Sequence, residues 1–134
     1  MNSGNVDALP RTLDRLCSLQ ELEMQNCRSL QALPTLPSSL RIINASICKS
    51  LKDAGAYGQL VSLKTLILSG CSKVEKFQVI SQHMPFLWTL CLDGTTITEL
   101  PSSIGNATEL VILDLKKCRK LRSLPSSICE LTRL

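Results

Sequence analysis

A chain of 134 residues has room for one domain. Apolar residues make up 44% of it but aromatics only 3%, too few to fill the centre of an ordinary globule, and the net charge of +4 is mild. No run of about 18 apolar residues occurs, so no membrane-spanning helix is expected, and MNSGNVDALPRTL has no basic stretch leading into an apolar one, so no secretory leader is expected.

Residues 1–8, MNSGNVDA, are small and polar, and the composition predicts a disordered N-terminus. From residue 9 to 134 one frame recurs. Leu19 opens LQELEMQNCRSLQALP, Leu40 opens LRIINASICKSLKDA, Leu63 opens LKTLILSGCSKVEKF, Leu87 opens LWTLCLDGTTITELP and Leu110 opens LVILDLKKCRKLRSLP. The steps are 21, 23, 24 and 23 residues. The consensus is L-x-x-L-x-L-x-x-C-x-x-L-x-x-L-P, which is neither a helical period nor a plain strand alternation. It is the leucine-rich-repeat signature, a short strand that turns a corner at an inward-facing polar or thiol residue.

The repeats differ in quality. The second is the most degenerate, with Ala45 and Ala54 in leucine positions and a loop expected in DAGAYGQ (53–59). The fourth is one residue short, because Ile97 follows Thr95 by two positions instead of three. The links LPRTLDRLCSL (9–19), LPSSIGNATEL (100–110) and LPSSICELTRL (124–134) share one outline, whereas QVISQHMPF (78–86) lacks the Leu-Pro. Ser127 and Glu130 have the spacing of a capping box. Leu134 begins a sixth frame, so the array reads as uncapped at both ends and as a piece of a longer coil, prone to associate on its own.

One strand per period of about 20–29 residues predicts an α/β leucine-rich-repeat solenoid. It is a curved right-handed superhelix, with a parallel sheet on the concave face and irregular turns or short helices on the convex face. The ninth position holds Cys27, Cys48, Cys71, Thr95 and Cys118, a structural ladder where the chain leaves the strand and its carbonyls need donors. The seven cysteines include no C-x-x-C pair and the one histidine is His83, so neither a zinc site nor a disulfide framework is expected. Buried thiols suit a reducing compartment. Cys91 would need a nearby base to act as a nucleophile, and His83 falls in the convex linker, so no catalysis and no cofactor are expected.

Alternation along each strand turns positions three, five and seven of the frame outward. The expected partner-binding strip is therefore Glu21, Glu23 and Gln25; Ile42, Asn44 and Ser46; Thr65, Ile67 and Ser69; Thr89, Cys91 and Asp93; Ile112, Asp114 and Lys116. Position eight, at the strand exit, is Asn26, Ile47, Gly70, Gly94 and Lys117. Ile42, Ile67 and Ile112 stand out as apolar residues on an outward face, and charge changes from Glu21 and Glu23 to Lys116 and Lys117. The basic run KKCRKLR (116–122) lacks stacking aromatics and contains a core leucine, which argues against nucleic acid. The sequons at Asn44 and Asn106 are chance matches on this reading.

The phrases LSGCSKVEKF (68–77), LDGTTITELPSSI (92–104), LPTLPSSLRIINASICKSLK (33–52) and LDLKKCRKLRSLPSSICELTRL (113–134) are more specific than a leucine frame. Over residues 9–134 the chain resembles the leucine-rich-repeat region of plant nucleotide-binding disease resistance proteins of the TIR class. The resemblance implies an interaction module of innate immunity in the cytoplasm or nucleus, with a protein partner: a pathogen effector, a guarded host protein, or the nucleotide-binding domain of a parent receptor. It implies no nucleotide binding here, since no G-x-x-x-x-G-K-[ST] loop is present. The alternatives are a truncated or pseudogene-like fragment without independent activity and a fragment of an extracellular repeat receptor.

Overall fold

The structure, a computed structural model, describes residues 15–53, 60–77 and 84–134. The expected disorder of residues 1–8, the loop with Ala54, and the linker segment that carries His83 lie outside the described residues.

Each frame contributes one three-residue strand: β1 (Glu21–Glu23), β2 (Ile42–Asn44), β3 (Thr65–Ile67), β4 (Thr89–Cys91) and β5 (Ile112–Asp114). They form one parallel sheet in the order β1-β2-β3-β4-β5. Every neighbour in the sheet is the next repeat in sequence, which is the connectivity of a solenoid. The register follows the frame without slippage: Leu22, Ile43, Leu66, Leu90 and Leu113 lie side by side. A slip of one residue would turn this row to solvent, so burial of one face fixes the register.

The main chain continues the ladder beyond the strands. The position-six N–H groups of Met24, Ala45, Leu68 and Leu92 donate to the position-five carbonyls of Asn44, Ile67, Cys91 and Asp114 at 2.7–2.9 Å. Two residues on, Asn26, Ile47, Gly70 and Gly94 donate to Ser46, Ser69, Asp93 and Lys116 at 2.7–2.9 Å. Below this, Lys52 and Asp53 N–H share Gln31 O, and Arg122 N–H reaches Thr98 O, so adjacent coils are bonded on a second side.

The interior is one cluster of stacked leucines with Met24, Ile43, Val74, Phe77 and Met84 filling variant positions. Burying such side chains stabilises by about 1.5–3 kcal/mol each. In the fifth turn Leu113, Leu115, Cys118 and Leu121 are only half-buried, because they pack against the fourth turn on one side alone.

The missing residue of the fourth repeat has a specific consequence. In the second, third and fifth repeats a three-residue turn is closed by Leu51, Val74 and Leu121 N–H donating to Cys48, Cys71 and Cys118 O. The fourth repeat makes no such turn. Thr96 instead donates its N–H to Val74 O, and its Oγ1 bonds Val74 O and Ser72 O of the preceding repeat at 3.1 and 3.0 Å. Ile97 still reaches the core, fully buried.

On the convex side, Ser102–Asn106 and Ser126–Glu130 are 3-10 turns that follow Pro101 and Pro125. No capping box forms: neither turn has a side-chain cap, and Ser127 Oγ donates sideways to Ser102 O at 2.6 Å. Inter-repeat stacking takes the hydroxyl that helix capping would have used. Gly105 permits this approach, since a Cβ there would sit 3.0 Å from Ser127 Cβ.

Leu66→Ala in the central layer is expected to cost about 2–5 kcal/mol, and Leu113→Ala in the half-covered layer clearly less. Urea unfolding of the two variants checks this, and equal losses would contradict a layered core.

Candidate functional site

The outward face of the sheet is built from three rows. Position three reads Glu21–Ile42–Thr65–Thr89–Ile112 and position five reads Glu23–Asn44–Ile67–Cys91–Asp114, both in strict strand register. Position seven, Gln25–Ser46–Ser69–Asp93–Lys116, runs alongside through the main-chain bonds given above. The structure thus brings together the fifteen residues of the expected strip as one surface.

Their exposure differs from the sequence expectation. Ile42 and Ile67 are half-buried by neighbours in the same row, while Ile112, at the edge strand, leaves 51% of its surface in solvent. Many polar groups are tied within the face. Asn44 Oδ1 accepts Ser46 N–H and Oγ, Ser69 Oγ donates to Asp93 Oδ1 at 2.5 Å, and Asp114 Oδ1 accepts Lys116 N–H at 3.0 Å. The charge does not run smoothly from acid to base, because Asp93 and Asp114 place carboxylates beside Lys116.

Position eight has a left-handed backbone in every repeat: φ is 65° at Asn26, 58° at Ile47, 75° at Gly70, 73° at Gly94 and 59° at Lys117. This conformation swings the N–H of the first four onto the next coil. Asn and Gly adopt it readily, but a β-branched Ile does so at a cost of about 1–3 kcal/mol. Gly70 and Gly94 leave backbone open on the surface, and a Cβ on Gly94 would lie 3.3 Å from Gly70 Cα.

Position nine sits beneath. Cys48 Sγ donates to Met24 O at 3.0 Å, Cys71 Sγ to Ala45 O at 2.9 Å and Cys118 Sγ to Leu92 O at 3.0 Å, each reaching the position-six carbonyl of the preceding coil. Thr95 differs: its shorter hydroxyl bonds Leu92 O in its own repeat at 2.7 Å. Cys27, in the first described coil, is fully buried. The Cys48 thiol is pushed well above the ordinary thiol range, first by its hydrogen-bonding neighbour Cys71 and then by burial. Cys91, on the outward face, is pushed up by burial and by the carboxylates of Asp93 and Asp114. All seven cysteines are free thiols.

A family model described as "Disease resistance protein RPS4B-like, leucine-rich repeats" matches residues 59–134. The chain belongs to this family of leucine-rich repeats. Among curated Arabidopsis thaliana proteins it is 43% identical to disease resistance-like protein CSA1 over 81% of this chain. It is 35% identical to disease resistance protein RPS4B over 91% and 37% identical to SUPPRESSOR OF npr1-1, CONSTITUTIVE 1 over 92%. The chain spans only 8–9% of the length of these relatives. Among solved structures it is similar to the leucine-rich-repeat ectodomain of the Arabidopsis thaliana receptor kinase GASSHO1/SCHENGEN3, with a TM-score of 0.59 and 22% identity over 95% of this chain and 16% of that one. That likeness is one of fold.

Within this resistance-protein repeat, sequence reasoning did not single out position two, at the strand entry. Trp88 and Val111 leave 58% and 38% of their surfaces exposed there, and Phe86, just before the frame, 56%. The signal was present: two aromatics flank Leu87, a frame leucine that the repeat buries.

Ile47→Asn, which matches Asn26 at the same frame position, is expected to raise stability by about 0.5–1 kcal/mol through relief of the left-handed strain. A denaturation midpoint unchanged or lowered would contradict that cost. In thiol labelling near pH 8, the exposed Cys17 and Cys129 are expected to react first and Cys91 later. Cys27, Cys48 and Cys71 should react only on unfolding. Because its thiol ionises above the ordinary range, Cys91 gains reactivity only as pH rises further, and immediate labelling of Cys91 would contradict its environment.

Proposed function

We propose that this stretch of repeats is a recognition surface of a plant disease-resistance protein, which binds a protein on its concave face. Leucine-rich repeats are a protein-interaction fold, and this chain belongs to the disease-resistance class. The observation that carries the reading is the register: five strands without slippage align the outward rows into one continuous ribbon. A ribbon of this kind can offer many side chains to a partner at once without reorganising, which lowers the entropic cost of binding. Half-buried isoleucines at its middle and charges at its two ends resemble the apolar centre and polar rim of protein interfaces.

The partner is a pathogen effector, a guarded host protein, or the nucleotide-binding domain of a parent receptor. The module acts in the cytoplasm or nucleus, by binding and without catalysis of its own. Cys91, the one thiol on the face, is held protonated by burial and by two neighbouring carboxylates, which opposes activation. The free thiols suit a reducing compartment.

Charge reversal at both ends of the strip, Glu21→Lys with Glu23→Lys and Lys116→Glu with Lys117→Glu, is expected to weaken capture of plant proteins by about tenfold or more. A quantitative pull-down from plant extract, comparing each captured protein between the original chain and the variant, checks this. Recovery of the same proteins in the same amounts would overturn the concave face as the binding surface.

A further inference from the structure

The edge where the chain enters each strand carries a surface distinct from the concave strip. Position two of successive frames is Arg41, Lys64, Trp88 and Val111, all exposed. The main chain holds them at one spacing, since each carbonyl accepts two N–H groups of the next repeat. Lys64 O accepts from Trp88 at 2.9 Å and Thr89 at 3.1 Å, and Trp88 O accepts from Val111 and Ile112. Parallel strands lie about 4.8 Å apart, so these side chains form a close row.

Beside the row, Lys64, Pro85, Phe86, Trp88, Glu109 and Arg133 line a shallow groove of about 270 Å³. That is below the range of about 300–1,000 Å³ that holds small-molecule ligands, and it suits a side chain of another protein. Single exposed apolar residues need no explanation. Two large aromatic rings in one groove, in a chain that is only 3% aromatic, do. The groove's charges are unequal. Arg133 Nε pairs with Glu109 Oε2 at 3.2 Å, whereas Lys64 and the adjacent Arg41 make no ion pair among the described residues. The rim is therefore positive next to an apolar floor.

We propose that this groove docks a short extended segment of a partner protein, one that carries a large apolar side chain flanked by carboxylates. The apolar side chain lies on Phe86 and Trp88, and the carboxylates meet Lys64 and Arg41. Aromatic anchors supply most of the affinity at such contacts, and the cations select the sign of the partner.

Trp88 is the only tryptophan in the sequence, so its emission reports on this groove alone. The probes are two short synthetic peptides of alternating residues, leucine with aspartate and leucine with lysine, titrated into the whole chain. The leucine–aspartate peptide is expected to give a saturable blue shift and the leucine–lysine peptide none. Lys64→Glu should weaken the first response by about tenfold or more, with unchanged far-ultraviolet circular dichroism. Phe86→Ala should weaken it as well, and Thr65→Ser on the concave face should not. No response, an equal response to both peptides, or an unaltered response in Lys64→Glu would overturn the proposal. A blue shift that grows with protein concentration in the absence of peptide would also overturn it, by showing that a second copy of the chain occupies the groove.

Discussion

The in-register pairing of Leu22, Ile43, Leu66, Leu90 and Leu113 is the constraint on which everything else rests. Strands of three residues carry too few hydrogen bonds to be stable alone. They persist because each is bonded to its neighbours, the three inner strands on both sides, and because the leucines beneath them form one continuous interior. The same register that buries this row aligns the outward rows. Core and recognition surface are thus two sides of one periodicity, and a fault in one would displace the other.

The corner after the strand solves one local problem in each coil. The backbone must leave the sheet without stranding its last polar groups. A left-handed residue at position eight directs one more N–H across to the next coil, and a thiol or hydroxyl at position nine satisfies a position-six carbonyl. Asn26, Gly70 and Gly94 accept the required conformation easily, whereas Ile47 is held in it by its N–H bond to Ser69 O of the next coil. The Cys71–Ala45 and Cys48–Met24 bonds explain why small, weakly polar thiols occupy positions where a larger side chain would not fit.

Much of the fold was legible because the frame repeats: strand positions, their order and their inward faces follow from leucine spacing alone. Within the site, the identity of the outward residues was legible for the same reason. Their exposure was not, since it depends on neighbours a full repeat away. Ile42 and Ile67 are half-covered by the adjacent strands, and only the edge residue Ile112 is well exposed. The Ser127–Glu130 spacing suggested a capping box, but the hydroxyl goes to Ser102 of the coil above, a contact no local pattern encodes. The short fourth repeat was visible as a gap, yet its remedy, a threonine bonded to the preceding coil, requires knowing which carbonyls the gap leaves open. The Phe86–Trp88 groove was missed because attention to the leucine frame passes over residues at the strand entry.

Membership in the disease-resistance repeats gives this architecture its context: a scaffold in which the buried row recurs from coil to coil beneath outward residues that differ. Native-state hydrogen exchange tests that scaffold most directly. The amides of Met24, Ala45, Leu68 and Leu92, each bonded to the next coil, should be among the slowest to exchange, with similar opening free energies that reflect one cooperative stack. Fast exchange at these four amides, or protection that falls on a different register, would contradict the layered coil.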